Sequence, residues 1–285
     1  MADISAKDVA ALRKMTGAGM MDCKKALEES NGDIDAAKDW LREKGLAGAA
    51  KRLGRANDQG TIEIAVTDTG QGGTVGAIVE LNCETDFVAK GDVFKDALDK
   101  LTKLVVEHGE DIAGLPFEGG TVDEFVKGMA GTLGENIQLG RIVRYDSPDG
   151  LVDVYKHVQN ERGVVGVLVE LGGVDTNDAK AREVAHDIAL HIASAVPRYV
   201  SRDDVPADEV ERERGILEAQ TKEEGKPEQA WPKIIEGKLN GFFKTVTLLE
   251  QSFVKDQKTT IRQLVSGLGG DATVRRFARV KIGEE

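Results

Sequence analysis

One strand-like run in this chain occurs twice. Val75-Gly76-Ala77-Ile78-Val79-Glu80-Leu81 returns 90 residues later as Val165-Gly166-Val167-Leu168-Val169-Glu170-Leu171. At the same offset, Gly60-Thr61-Ile62-Glu63-Ile64-Ala65-Val66 aligns with Gly150-Leu151-Val152-Asp153-Val154-Tyr155-Lys156. Two strands that align at one offset require a body made of two related units. Each unit opens as a β-hairpin, the first with Gly70, Gly72 and Gly73 in its loop and the second with Asn160 and Gly163. A helix follows each hairpin. Phe94, Leu98, Leu101 and Val105 recur at helical spacing over 93–108, and Val184, Ile188 and Ile192 do so over about 179–195, with Val196 in the same register. A further strand closes each unit, over 136–145 and 272–282. The predicted fold class is α+β: two duplicated subdomains, each an antiparallel sheet with helices on one face.

The second copy is longer than the first by about 45 residues, placed between its helix and its closing strand. The excess is charged and helical. Asp208-Glu209-Val210-Glu211-Arg212-Glu213-Arg214 leads to Gly225-Lys226-Pro227, and Trp231, Ile234, Ile235 and Leu239 mark a second helix beyond it. A Gly-Lys-Pro turn between helices predicts an antiparallel helical hairpin, with so few apolar residues that it projects into solvent.

Residues 1–55 have a different pattern, that of three short helices. Ser5 is placed to cap the first, with Val9, Leu12 and Met15 on one face, and Gly17-Ala18-Gly19 breaks it. The second runs from Met20 to Glu29 and stops at Asn31-Gly32. Asp33 is placed to cap the third, with Ile34, Ala37, Trp40 and Leu41 facing inward and Gly45 ending it. So small a bundle has little core and suits docking. Met20 and Met21 open the second helix beside the glycine loop, and they read either as core filling or as an adaptable binding surface. Ala49-Ala50-Lys51-Arg52-Leu53-Gly54-Arg55 has the composition of a basic linker. The predicted division is 1–55 for the docking domain and linker, 56–147 for the first core subdomain, 148–200 with 246–285 for the second, and 201–245 for the inserted hairpin.

The 285 residues carry a net charge of −12, which disfavours broad nucleic-acid binding, since that needs a basic face. No apolar run approaches the roughly 20 residues a membrane span requires. The polar start Met1-Ala2-Asp3-Ile4-Ser5 lacks the basic and apolar regions of a signal peptide, so a cytoplasmic location is expected. Cys23 and Cys83 form no CxxC or Cys/His cluster, which implies neither a disulfide framework nor a zinc site. The histidines also suggest no catalytic chemistry. His186 and His191 are five apart, the wrong spacing for one helix face, and His108 sits where it caps a helix end. His157, at the end of a hairpin strand, is a candidate surface contact. The glycines at 70–76 lie inside a hairpin and lack a P-loop lysine. No cofactor, no metal and no enzyme activity are expected.

The run Asn82-Cys83-Glu84-Thr85-Asp86-Phe87-Val88 follows the first repeated strand. It reads either as a strand-to-helix turn, with Asp86 as N-cap and Phe87 as local packing, or as an acidic-aromatic probe aimed at another molecule. Burying Phe87 in a partner is worth roughly 2–3 kcal/mol. After the sister strand comes Gly172-Gly173-Val174-Asp175-Thr176, an ordinary turn. The fold alone therefore does not demand Asp86-Phe87, and the comparison favours a functional reading.

Two motifs carry a resemblance to a known family. One is Leu12-Arg13-Lys14-Met15-Thr16-Gly17-Ala18-Gly19-Met20-Met21-Asp22-Cys23-Lys24-Lys25-Ala26-Leu27, continuing to Asn31-Gly32-Asp33. The other is Asn82-Cys83-Glu84-Thr85-Asp86-Phe87-Val88-Ala89. Both lie in the order found in translation elongation factor Ts, the family of guanine nucleotide exchange factors for elongation factor Tu, which the chain resembles over nearly its whole length. The resemblance implies a ubiquitin-associated-like N-terminal bundle, a two-part core and a coiled-coil hairpin. It implies elongation factor Tu, GDP-bound or nucleotide-free, as the partner. It also implies that Thr85, Asp86, Phe87 and Val88 dislodge Mg²⁺ from that partner, with His157 matching a second contact. Some members add a C-terminal helix that touches the partner; this chain stops at Glu285, soon after Ile282, so that contact is expected to be missing. Two alternatives remain at this stage. A scaffold that binds through its bundle would have the corner as mere packing, and an enzyme would need a deep polar pocket for which the residues offer no candidates.

Overall fold

The computed structural model describes residues 4–16, 18–49, 52, 54–70, 72–225 and 227–284, with the backbone only at 46–49. Gly17 of the predicted helix break, Ala50, Lys51 and Leu53 of the predicted linker, and Lys226 of the predicted hairpin turn lie outside the described residues. The elements in chain order begin with α1 (Ala6–Thr16), α2 (Met20–Glu29) and α3 (Ile34–Ala49). The first copy follows as β1 (Gln59–Asp68), β2 (Thr74–Cys83), α4 (Asp86–Ala89), α5 (Asp92–His108), the short pair β3 (Pro116–Phe117) and β4 (Gly120–Thr121), α6 (Val122–Leu133) and β5 (Gln138–Ser147). The second copy is β6 (Leu151–Gln159), β7 (Arg162–Gly172), α7 (Ala179–Ala195), α8 (Ala207–Glu223), α9 (Trp231–Val246), the short pair β8 (Ser252–Phe253) and β9 (Asp256–Thr260), α10 (Ile261–Ser266) and β10 (Thr273–Lys281). Among the described residues no helix is long and apolar enough to cross a membrane.

The duplication is literal in the backbone. One three-stranded antiparallel sheet has the order β1-β2-β5, and the other has β6-β7-β10, with the repeated strand central in both. Thr61 pairs with Leu81, and 90 residues on Leu151 pairs with Leu171. Alternation along a strand sends successive side chains to opposite faces. In β2, Ala77, Val79, Leu81 and Cys83 pack against Phe94, Leu98, Leu101 and Val105 of α5. In β7, Val165, Val167, Val169 and Leu171 pack against Val184, Ile188 and Ile192 of α7. The helices cover one face of each sheet, as predicted. The other faces meet each other, where Ile62, Ile78, Tyr145, Val152, Leu168 and Val280 form a shared inter-sheet core. The repeated Gly76 and Gly166 permit this approach. A Cβ at Gly76 would lie 2.6 Å from the Val152 Cγ1, and one at Gly166 would lie 2.8 Å from the Ile62 Cγ2.

The repeated Glu80 and Glu170 are each only 3% exposed. Such burial requires partners, and both carboxylates find arginine on the third strand of their own sheet. Glu80 accepts from the Arg141 backbone N–H at 3.1 Å and its Nε at 3.0 Å. Glu170 accepts from the Ser147 hydroxyl at 2.6 Å, Arg276 Nε at 2.5 Å and Arg275 Nη1 at 3.2 Å. Both pairings shift register beside the glutamate, so the third strand bulges at the same place in each copy.

In the N-terminal bundle, Ser5 and Asp8 exchange side-chain and backbone hydrogen bonds to start α1, and Asp33 accepts from the Asp35 and Ala36 amides to start α3. α2 ends in left-handed Asn31 (φ 49°) and Gly32 (φ 88°). Leu12, Cys23, Ala26, Leu27 and Ala37 are its fully buried centre. Two expectations are corrected. Met15 does not face this core but is 51% exposed, because it sits on the rim of a cavity between the bundle and α6. Gly45 does not end α3, which runs on to Ala49. Gly45 is instead the contact point between α3 and α6: a Cβ at Gly131 would fall on the Gly45 backbone, and one at Gly45 would lie 3.1 Å from the Gly128 carbonyl oxygen. Helices α8 and α9 bury Leu217, Ile235, Leu239 and Phe243 against each other, with Lys238 and Glu224 paired across them at 2.7 Å.

Two outcomes follow from these contacts. Burial alone raises the Glu170 carboxyl, but the hydrogen bonds from Ser147, Arg276 and Arg275 outweigh it and hold the group below its ordinary 4.5. A depressed folded-state value contributes stability that is present above pH 4.5 and lost as the pH falls through the folded value. Glu170→Gln is expected to lose up to about 3 kcal/mol at pH 7, with the gap to wild type narrowing below pH 4.5 in urea titrations. Gly131→Val is expected to push α3 off α6, giving a larger radius of gyration by small-angle scattering with helix content retained in circular dichroism.

Candidate functional site

The centre of interest is the corner between β2 and α5. β2 is held on both edges and covered on both faces, so its end at Cys83 is a firm mount. The chain then turns through Glu84 and Thr85 into the single helical turn α4. Thr85, not Asp86, is the N-cap: its Oγ1 accepts from the Val88 amide at 3.4 Å. This corrects the packing version of the turn, and the second half of that version fails too. Phe87 is 84% exposed, the most exposed large hydrophobic residue among the described ones. Its neighbours face the other way, with Ala89 fully buried and Val88 packed against the core beneath α5. A four-residue turn with Val88 and Ala89 inward sends Asp86 and Phe87 outward.

The corner is tied to the loop before β5. The Glu135 carboxylate accepts from the Glu84 and Thr85 amides at 3.1 and 3.0 Å and from the Thr85 hydroxyl at 2.5 Å. In return the Glu84 carboxylate accepts from the Asn136 amide at 2.7 Å and from Arg55 at 3.4 Å. Beneath them the Cys83 thiol donates to the Thr85 carbonyl at 3.1 Å. Burial, with the Glu135 charge behind it, pushes that thiol up to about 12. Asp86 pairs with Lys90 at 2.6 Å. The hydrogen bond and charge of Lys90 hold its carboxyl below the ordinary range, so Asp86 is anionic at neutral pH.

The other sequence-derived candidates are distributed unevenly. The β6–β7 hairpin tip reaches the same end of the molecule as the corner. Gly163 exchanges hydrogen bonds with Thr61, and Arg162 donates to the Gly60 carbonyl, next to the Asn82 that pairs with Gly60. Arg162 also lowers Asp86 through its charge. His157 stands near that tip, exposed, with its Nδ1 3.2 Å from the Tyr155 hydroxyl and its ring stacked on the tyrosine at 6.3 Å between centroids. Met20 and Met21 lie on the bundle, 56% and 74% exposed, which rules out core filling; among the described residues no hydrogen bond or ion pair links them to the corner. A cavity of about 280 Å³ lies between bundle and core, lined by Met15, Leu41, Val93, Phe125, Met129 and Leu133. Of the other histidines, His186 bonds Asp153 at 3.0 Å and His191 is buried on Gln251 at 2.9 Å. Among the described residues no cluster of His, Cys, Asp or Glu is arranged to hold a metal.

Sequence reasoning missed Glu135 and Arg162. Glu135 acts across 50 residues, and no local pattern marks it. The one available signal was the duplication: Glu135 lies in the loop before the third strand, at the position where the sister copy has Gly270.

These features define a multi-part α+β protein whose duplicated core presents one clamped, outward-facing acidic-aromatic corner. The chain belongs to the elongation factor Ts family: the family described as Elongation factor TS matches residues 84–284, and the one described as Elongation factor Ts, mitochondrial, N-terminal matches residues 2–50. It is similar to Elongation factor Ts of Thermobifida fusca (strain YX), 46% identical over 289 residues with all of both chains covered. It is also 41% identical over 292 residues to Elongation factor Ts of Aquifex aeolicus (strain VF5), covering 98% of each chain. Membership places it among the translation elongation factors.

Cys23 and Cys83 are fully buried, and burial raises both thiols. A thiol-reactive dye at pH 8 is expected to modify neither residue in the folded protein and both in denaturant. A raised folded-state value contributes stability that is full below the unfolded thiol's 9.0 and lost as pH rises toward the folded value of about 12. Alkaline stability should therefore decline from pH 9 upward, and less so in Cys83→Ala once its own cavity cost is subtracted at pH 7.

Proposed function

We propose that this protein is the guanine nucleotide exchange factor of elongation factor Tu, acting on its GDP-bound form, and that Thr85, Asp86, Phe87 and Val88 are the residues that dislodge Mg²⁺ there. One observation carries the reading: a phenylalanine 84% exposed on a corner whose backbone is fixed from two sides. Family membership supplies the class of partner.

A GTPase holds its nucleotide through a phosphate-cradling loop and a bridging Mg²⁺. Mg²⁺ demands near-ideal octahedral geometry, so a small displacement of its ligands weakens it greatly. Phe87 enters an apolar slot in the partner's nucleotide domain, and burying the ring supplies the roughly 2–3 kcal/mol that holds the slot open. Asp86 follows as an anion and engages groups near the metal. Val88 and Thr85 keep the turn in shape, one from the core and one as the cap. Mg²⁺ leaves and GDP dissociates faster. Coupling is reciprocal, so nucleotide rebinding releases the factor. The bundle of residues 1–55, with Met20 and Met21, and the second subdomain, with His157, supply docking affinity. Residues 56–147 carry the corner, and 201–245 form the hairpin. The protein itself performs no covalent chemistry, and its place of action is the cytoplasm with its partner.

Release of fluorescent GDP from purified elongation factor Tu tests the reading. At saturating factor, Phe87→Ala is expected to lower the stimulated rate by one to two orders of magnitude, following its burial energy. Asp86→Ala should lower it by about tenfold, the scale of one charge-assisted hydrogen bond. Unchanged stimulation by both would sink the assignment. Adding excess GDP to the isolated complex should dissociate it, whereas a passive scaffold would stay bound.

A further inference from the structure

Phe87 is 84% exposed and belongs to no core cluster among the described residues, so the course of the backbone is what aims its ring. That backbone is a single turn, too short to sustain itself, since helix nucleation is unfavourable until several residues are fixed. Its cap is long, at 3.4 Å from Thr85 Oγ1 to the Val88 amide. Val88 and Ala89 anchor the turn in the core, and the side-chain hydrogen bonds to the residues that lead into it converge on one carboxylate. Glu135 takes both amides ahead of α4 and the hydroxyl of the capping residue. Glu84 answers with the Asn136 amide, so two loops exchange carboxylate-to-backbone bonds in both directions. Hydrogen bonds to an ionised acceptor are the stronger kind.

The sister copy serves as an internal control. There the corner glycine Gly173 (φ 69°) lies directly on the backbone of Asp271, and a Cβ at that position would collide with the Asp271 carbonyl oxygen. Corner and loop touch backbone to backbone, and no aromatic residue is presented. In the first copy the loop instead reaches the corner through the length of a glutamate side chain. The spacer and the exposed Phe87 occur in the same copy.

We propose that Glu135 is a positioning residue for the corner: its carboxylate, bonded to the Glu84 and Thr85 amides and the Thr85 hydroxyl, sets the direction in which Asp86 and Phe87 leave the molecule. The inference rests on the exchange reading above. Glu135 touches neither nucleotide nor metal in this account. It acts through α4.

The experiment is GDP release from elongation factor Tu, measured over a range of factor concentrations with the full chain. Glu135→Ala is expected to lower the plateau rate roughly tenfold, because misaiming a group by about 1 Å has effects of this order or larger. The concentration giving half the plateau should shift less than about threefold, since the docking surfaces are elsewhere. Glu135→Gln should recover most of the rate, as its carbonyl oxygen can accept the two amides and its NH₂ can donate to Thr85 Oγ1. In a background of Asp86→Ala with Phe87→Ala, adding Glu135→Ala should change the plateau less than about twofold, the non-additivity expected of residues acting as a unit. A general loss of structure would not reproduce that pattern. If Glu135→Ala loses its native circular dichroism, Glu135→Asp replaces it under the same criteria. A folded Glu135 variant with a wild-type plateau, or an additive loss in the combined background, overturns the positioning role while Phe87→Ala still impairs exchange. A normal plateau for Phe87→Ala overturns the exchange reading itself.

Discussion

The closest constraint in this molecule is the back-to-back packing of its two sheets. Ile78 and Leu168 meet across the middle, and Gly76 and Gly166 leave room for them. With helices on the outer faces, β2 and β7 are covered on both sides, and β-pairing occupies both of their edges. A central strand so enclosed has no freedom of register, because a one-residue slip would exchange its helix-facing and sheet-facing side chains. Everything attached to the end of β2 inherits that fixity. Glu80 and Glu170 reinforce it, since a buried carboxylate with arginine partners has one acceptable place.

From that mount the corner divides into a firm part and a loose part. Thr85, Val88 and Ala89 are held by the cap, the core and the Glu135 bonds, and Phe87 is carried on them. Asp86 is different. Its partner Lys90 is one turn away in an exposed pair, and such pairs contribute little to stability. Lys90 keeps Asp86 ionised without committing it. On the exchange reading, this suits a carboxylate that must leave its own lysine for groups on a partner, while the aromatic ring must arrive without rearrangement. Ordering Phe87 beforehand lowers the entropy lost on binding.

Much of the architecture was legible because it rests on periodicity. The repeat at one offset gave both sheets and their central strands, and helical spacing placed both ends of α7 and α5 within a residue; Val196, in register by spacing, is instead the left-handed, exposed residue that ends α7. What was not legible depends on contacts remote in sequence. Period-two alternation shows that β2 has two apolar faces but not that the second is covered by its own duplicate. Gly45 has the composition of a helix stop, and only the presence of Gly131 opposite makes it a crossing point. Met15 fits the apolar stripe of α1 by spacing, yet it lies beside the cavity that α6 helps to form. Asp86 is a good N-cap by residue type, but Thr85 precedes it and is already hydrogen-bonded into position by Glu135. Exposure of Phe87 was legible only by comparison with the sister corner.

That comparison reaches beyond the corner. The two copies retain the inter-sheet glycines, the buried glutamates and the helix that covers each sheet, which are the parts needed to bury two apolar faces at once. They differ in the strand-to-helix corner, in the loop before the third strand, where the strand register sets Glu135 against Gly270, and in the α8–α9 hairpin present in one copy alone. None of these three differences is required by the packing, because the other copy folds without it. A duplicated fold thus separates its structural requirements from its specialisations without reference to any relative. The residues that the two copies share account for the sandwich. Glu84, Thr85 and Glu135, in a corner and loop that the copies do not share, are joined by hydrogen bonds and together carry one exposed aromatic ring.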